Sequence, residues 1–141
     1  MHKLGLVIRL LVICLISSFT QIQAKDILVS SPDGAVTVTV GVRAKKPYYN
    51  VDYNKNLLIS PSHLGFQLDH GLMGDNVKLT EKHYASKDET WDQPWGEDLT
   101  VRNHYNELTV CFQEQTGQKR KMGVVFRVFN DGIGFRYILP G

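Results

Sequence analysis

The stretch Met122-Gly123-Val124-Val125-Phe126-Arg127-Val128-Phe129-Asn130-Asp131-Gly132-Ile133-Gly134-Phe135-Arg136-Tyr137-Ile138-Leu139 decides the fold. Met122, Val124, Phe126 and Val128 recur at every second position, and Ile133, Phe135, Tyr137 and Leu139 do the same after a short polar break. A period of two places successive apolar side chains on one face of a β-strand. Asp-Gly between two such runs marks a tight hairpin, because both central residues tolerate φ > 0. The spacing predicts two antiparallel strands around Asp131-Gly132.

The same rhythm extends towards the N-terminus. Val36, Val38, Val40 and Val42 alternate with Thr37, Thr39 and Gly41. Tyr49, Val51 and Tyr53 form another row, as do Leu64, Phe66 and Leu68, and then Leu108, Val110 and Phe112. Ser31-Pro32-Asp33-Gly34, Lys45-Lys46-Pro47, Asn54-Lys55-Asn56 and Gln115-Thr116-Gly117-Gln118 separate the rows and carry turn chemistry. No sustained 3.6-residue pattern is present beyond the leader. The expected fold is all-β, an antiparallel β-sandwich.

The segment from Lys82 to Asn103 breaks the rhythm and reads as a long loop. It holds Trp91, Trp95, Pro94 and Gly96 among the acids Asp88, Glu89, Asp92, Glu97 and Asp98. Indole faces stack on the C–H face of a sugar ring, and carboxylates accept hydrogen bonds from sugar hydroxyls. Trp91, Trp95 and Glu97 are therefore the candidate sugar-binding residues. The plain alternative is that both indoles pack across the loop and the acids face water.

The first 24 residues read as a secretory signal. Lys3 and Arg9 are its cations, Leu10 to Ile16 its apolar run, and Ile22-Gln23-Ala24 its cleavage site. The apolar run is too short to span a bilayer, which takes roughly 20 residues. The expected mature chain, 25–141, is a single domain, secreted or periplasmic. Of 16 basic residues, two leave with the signal, so 14 remain against 14 acids. That balance gives no electrostatic case for nucleic acid or an anionic membrane. Of two cysteines only Cys111 remains, so no intramolecular disulfide forms, and its place in an apolar row points to a buried thiol.

Glycoside hydrolysis needs an acid and a nucleophile or base facing each other across the sugar. Glu89 with Glu97 is a formal pair, but no second wall for a cleft is evident, and no residue is assigned as catalytic. His63, His70, His83 and His104 lack metal-site spacing, and no calcium loop is present, so no metal ligand is expected. On an extended segment Arg102, His104 and Asn106 share one face. With Glu107 they are read as a polar seam at a domain contact.

Six stretches together resemble glycoside hydrolase family 97. They are Ser31-Pro32-Asp33-Gly34, Pro47-Tyr48-Tyr49, Pro61-Ser62-His63-Leu64-Gly65, Glu89-Thr90-Trp91 with Pro94-Trp95-Gly96-Glu97, Arg102 to Leu108, and Phe126 to Tyr137. The resemblance implies a bacterial α-glucosidase or α-galactosidase with an N-terminal galactose-mutarotase-like β-super-sandwich, a central (β/α)₈ barrel and a small C-terminal β domain. It implies catalytic carboxylates on the barrel, calcium in some members, and an N-terminal domain that packs on the barrel and helps shape its sugar pocket. This chain is then expected to be the front part of that domain and inactive alone, with the calcium-binding carboxylate lying beyond Gly141. A stand-alone secreted carbohydrate-binding module and a structural domain without a ligand are the competing readings.

Overall fold

A computed structural model describes residues 25–69 and 71–139. The expected signal, residues 1–24, lies outside the described residues, as do His70 and the last two positions. The described residues form strands joined by turns, with no helix among them.

The first sheet is a meander in the order β1 (Ile27–Ser30), β2 (Val36–Arg43), β3 (Lys46–Tyr53), β4 (Asn56–His63). A small two-stranded sheet of β5 (Phe66–Leu68) and β6 (Gly71–Met73) follows. The second large sheet is built from β7 (Val77–Asp92), β8 (Thr100–Glu114), β9 (Lys121–Phe129) and β10 (Gly132–Ile138), in the order β10-β9-β8-β7. Every pairing in both sheets is antiparallel.

The alternating rows meet in one core. Val38 and Val40 of β2 are fully buried, as are Leu108, Val110 and Phe112 of β8 and Val124, Phe126 and Val128 of β9. These side chains belong to a single cluster drawn from both large sheets. Fully burying one such side chain is worth about 1.5–3 kcal/mol. The register follows: a one-residue slip would turn a whole row to water.

The outer face of the first sheet is also used. Tyr48 is buried beside Gly41, and its hydroxyl donates to Asp26 Oδ1 at 2.6 Å. The Arg43 guanidinium lies 4.3 Å from the centre of the Tyr48 ring. A Cβ on Gly41 would collide with the Asp26 carboxylate and the Tyr48 ring.

Two expectations change. The segment read as a loop from Lys82 to Asn103 is largely strand. β7 runs to Asp92 and β8 starts at Thr100, leaving only a short tip between them. The alternation signal requires one buried face, and from Glu81 to Asp92 nearly every residue is exposed. The β9–β10 hairpin forms as expected, but its turn is Asn130-Asp131, with Phe129 paired to Gly132. None of Asn130, Asp131 and Gly132 has a positive φ. Asn130 instead turns its side-chain carbonyl to the Asp33 amide at 3.2 Å, tying together turns from the two sheets. The two-residue hairpin turns of the first sheet are left-handed, at Ala44-Lys45 (φ 47° and 63°) and Asn54-Lys55 (φ 48° and 65°), as type I′ hairpins require.

Cys111 also departs from expectation: it lies on the outer face of β8, opposite the apolar row, and is only half-buried, and that burial pushes its thiol up from the ordinary value. Glu114 is the buried carboxylate of the domain, held by Arg120 through contacts of 2.7 and 2.9 Å. That guanidinium holds the Glu114 pKa below the ordinary carboxylate value.

Gly132 has open space where a Cβ would sit, so Gly132→Ala should leave the melting temperature nearly unchanged. Gly41→Val should lower stability by about 1–3 kcal/mol through overpacking. Thermal unfolding followed by circular dichroism compares the two, and equal effects would contradict the packing described. In Arg120→Ala the buried Glu114 carboxylate loses its partner. Because the folded-state pKa of Glu114 is depressed, the pair's contribution is complete above the unfolded value of about 4.5 and fades as pH falls below it. The gap in melting temperature between Arg120→Ala and the parent should therefore be widest at neutral pH and shrink in acid.

Candidate functional site on the long hairpin

β7 and β8 have 16 and 15 residues, far longer than the strands they pack against. The last ties to the first sheet are the Tyr84 hydroxyl donating to Leu28 O at 3.2 Å and Asn106 Nδ2 donating to Ser30 O at 2.8 Å. Asn106 pairs with Ser86, so the hairpin leaves the two layers there. Six further residues on β7 carry it about 20 Å outward at roughly 3.3 Å each.

Directly paired residues share a face. Asp88 pairs with His104 and Thr90 with Arg102, so one face of the arm carries Asp88, Arg102 and His104 in continuation of the core row. Arg102 grips Asp88 with two hydrogen bonds of 2.8 and 2.7 Å, and His104 Nε2 stands 3.9 Å from the same carboxylate. The Arg102 guanidinium holds the Asp88 carboxyl below its ordinary range. The opposite face carries Lys87, Glu89, Trp91, Val101 and Asn103. There Glu89 Oε1 accepts from Lys87 Nζ at 2.8 Å and from Asn103 Nδ2 at 3.0 Å. Lys87 and then Asn103 hold Glu89 below its ordinary range. A carboxylate kept ionised in this way is a poor general acid.

The tip is closed by its own hydrogen bonds. Gln93 N donates to Leu99 O at 2.8 Å, and the Thr100 hydroxyl donates to Asp92 Oδ1 at 2.8 Å. Gly96 has φ 130°, a conformation that L side chains resist. Trp95 is 83% exposed, Leu99 71% and Trp91 45%. The indoles do not pack across the tip as the plain alternative had it.

The structure thus gathers Trp91, Trp95 and Glu97 at the outer end of one arm. Arg102, His104 and Asn106 line one face of it, with only Asn106 reaching the first sheet. Glu107 points to the other face, where Arg127 Nε donates to it at 2.7 Å and the Arg127 guanidinium covers Tyr105 at 4.7 Å. Sequence reading missed the roles of Lys87, Asp88 and Asn103 in bracing the arm. Their signal was cross-strand complementarity about the Trp-rich tip, with Asp88 facing His104 and Glu89 facing Asn103. Among the described residues, no three His, Cys, Asp or Glu side chains gather to hold a metal ion.

The profile of the glycosyl-hydrolase 97 N-terminal family matches residues 29–141. The chain belongs to that family. A retaining alpha-galactosidase of Bacteroides thetaiotaomicron is 33% identical over 134 residues, covering 93% of this chain and 19% of that protein. A glycoside hydrolase family 97 enzyme from Pseudoalteromonas sp. strain K8, solved with panose and with acarbose, is 34% identical with a TM-score of 0.77. That likeness covers 81% of this chain and 17% of the enzyme. A beta-arabinopyranosidase structure is 33% identical with a TM-score of 0.75, over 83% of this chain and 18% of its own length. This family 97 N-terminal chain therefore spans under a fifth of the relatives it matches.

Both tryptophans of the chain sit on the arm, so tryptophan fluorescence, excited selectively over the six tyrosines, reports on the arm alone. The emission should be that of water-exposed indole and readily quenched by iodide. Trp95→Phe should remove most of the quenchable signal. Blue-shifted emission that resists iodide would mean that the indoles are buried.

Proposed function

We propose that this chain is the front part of the non-catalytic N-terminal domain of a secreted glycoside hydrolase acting on α-glucosides or α-galactosides. The family match across residues 29–141, joined to the fold likeness at 34% identity, carries the reading. The retaining alpha-galactosidase and the enzyme solved with panose and acarbose support the sugar class.

In this reading a catalytic barrel elsewhere in the polypeptide supplies the reacting carboxylates, and this domain packs on it as part of a β-super-sandwich. Exposed apolar side chains on the edge strands support such packing. Leu57 and Leu58 on β4 are 57% and 67% exposed, and Phe135 and Ile138 on β10 are 42% and 41%. The arm would carry Trp91, Trp95 and Glu97 to the sugar pocket. Arg102, His104, Asn106 and Glu107 would stiffen it at the domain contact. In this reading any calcium is bound by carboxylates elsewhere in the larger protein.

The chemistry supports inactivity of the chain alone. An acid must protonate the leaving oxygen while a second carboxylate attacks or activates water, both at one pocket. A barrel aims residues from several strand ends at one centre, whereas a two-stranded arm has no opposing wall. A stand-alone carbohydrate-binding module is the second reading, favoured by the exposure of Trp95.

Purified chain from Lys25 should show no turnover of aryl α-glucosides or α-galactosides, with or without calcium. Turnover abolished by Glu89→Gln or Glu97→Gln would move the active site onto the arm. Mass spectrometry of exported material should find Lys25 as its first residue, and an uncut chain would reject the secretory leader. Saturable sugar binding by the same sample, lost in Trp95→Ala, would favour the binding module.

A further inference from the structure

Two features at opposite ends of β7 are complementary in charge and in polarity. At the outer end, the tip exposes Trp95 and Leu99 together with Asp92, Glu97 and Asp98. Lys87 and Arg102, the nearest cations, are already engaged by Glu89 and Asp88. Among the described residues no cation pairs with Glu97 or Asp98. Large aromatic side chains left in water at a projecting point are characteristic of contact surfaces.

At the inner end, a cleft of about 880 Å³ opens between the end of β2 and the start of β7. Its apolar lining includes Ile27, Val42 and Leu79. Lys25, Arg43, Lys45, Lys78 and Lys82 line it too, against the single carboxylate Glu81. Arg43 is shared with Asp26 at 4.0 Å, and no acid pairs with the four lysines among the described residues. An apolar floor under a cationic rim is what an indole flanked by carboxylates requires.

The tip cannot reach the cleft of its own molecule. Ten residues of extended strand separate Lys82 from Asp92, about 33 Å at 3.3 Å per residue. The arm is paired along its whole length and braced by the Arg102–Asp88 and Lys87–Glu89 contacts, so it does not fold back.

We propose that the occupant of this cleft is the hairpin tip of a second copy of this chain, inserted head to tail. Trp95 is the anchor, Leu99 covers the floor, and Glu97 and Asp98 meet the lysine rim of the cleft. The contact joins two different patches, so it is heterologous and generates rings or short open chains rather than an isologous dimer. Its electrostatic part weakens with salt, since exposed charges are screened beyond about 10 Å at 0.1 M. It uses the same Trp95 and Glu97 that the proposed function assigns to a sugar pocket, so a tip seated in the cleft of a second copy is not free for sugar.

The test is sedimentation velocity on the chain from Lys25, which carries every described strand and the whole core. Association should appear at low salt and weaken at least tenfold on raising salt to about 0.5 M. Trp95→Ser should weaken it at least tenfold, and so should Lys78→Glu with Lys82→Glu. All three replaced residues are exposed, and an unchanged melting temperature verifies the fold. Adding Glu97→Lys and Asp98→Lys to the Lys78→Glu, Lys82→Glu chain should restore association. A monomer at all concentrations and salts overturns the proposal. Association indifferent to both sets of variants also overturns it and points to the apolar edges of β4 and β10. A monomer whose tryptophan emission shifts on adding maltose or galactose overturns it in favour of sugar as the occupant.

Discussion

The dry contact between the two large sheets is the constraint on which the rest of the molecule depends. Val38 and Val40 meet Leu108, Val110, Phe112, Val124 and Phe126 with no side-chain surface left to water. β8 belongs to that contact and also to the arm. Its Leu108, Val110 and Phe112 are locked in the core, and the same strand from Thr100 to Asn106 holds β7 in register outside it. The arm is stiff because one of its strands is anchored where register cannot slip. Beyond the core, polar pairs take over: Asn106 to Ser30, Arg102 to Asp88, Lys87 and Asn103 to Glu89. Exposed pairs like these add little stability, but several in a row hold a geometry.

The sequence was most legible where one face of a strand is buried. The rows Val36–Val42, Leu108–Phe112 and Met122–Val128 became core strands because burial is what writes a period of two into a chain. The arm was illegible for the same reason. Its residues from Lys82 to Asp92 face water on both sides, so the hydrophobic pattern carries no information about them. Only the pairing of opposite charges across the tip recorded the hairpin. Gly132 misled differently. Asp-Gly suggested a left-handed turn, yet the hairpin turns one residue earlier, on Asn130 and Asp131, where Asn130 also binds the Asp33 amide. A tertiary contact chose the turn over local propensity. The Trp-rich tip was visible as chemistry from the start, while its place at the end of a rigid arm was not.

Membership of the family 97 N-terminal group sets the scale of the functional question. The chain matches under a fifth of its relatives' length, and it presents aromatic and acidic side chains on a projection rather than inside a pocket. A projection is suited to completing a site or a contact built mostly by something else. The exposed apolar residues on β4 and β10 are a second unpartnered surface of the same domain, at its edges. Both features are exposed surfaces of the kind that contacts use.

Amide hydrogen exchange, read segment by segment, tests the central claim most directly: that the segment after Lys82 is a strand-paired arm fixed to a shared core. Amides of β2, β9 and β8 from Leu108 to Phe112 should exchange only through global unfolding. Amides from Lys87 to Asp92 and from Thr100 to Asn106 should show intermediate protection in step with each other, and only 93–99 should exchange near the rate of an unstructured chain. Coil-like exchange throughout Lys82 to Asn103, beside a protected core, would contradict the account and return that segment to a loop.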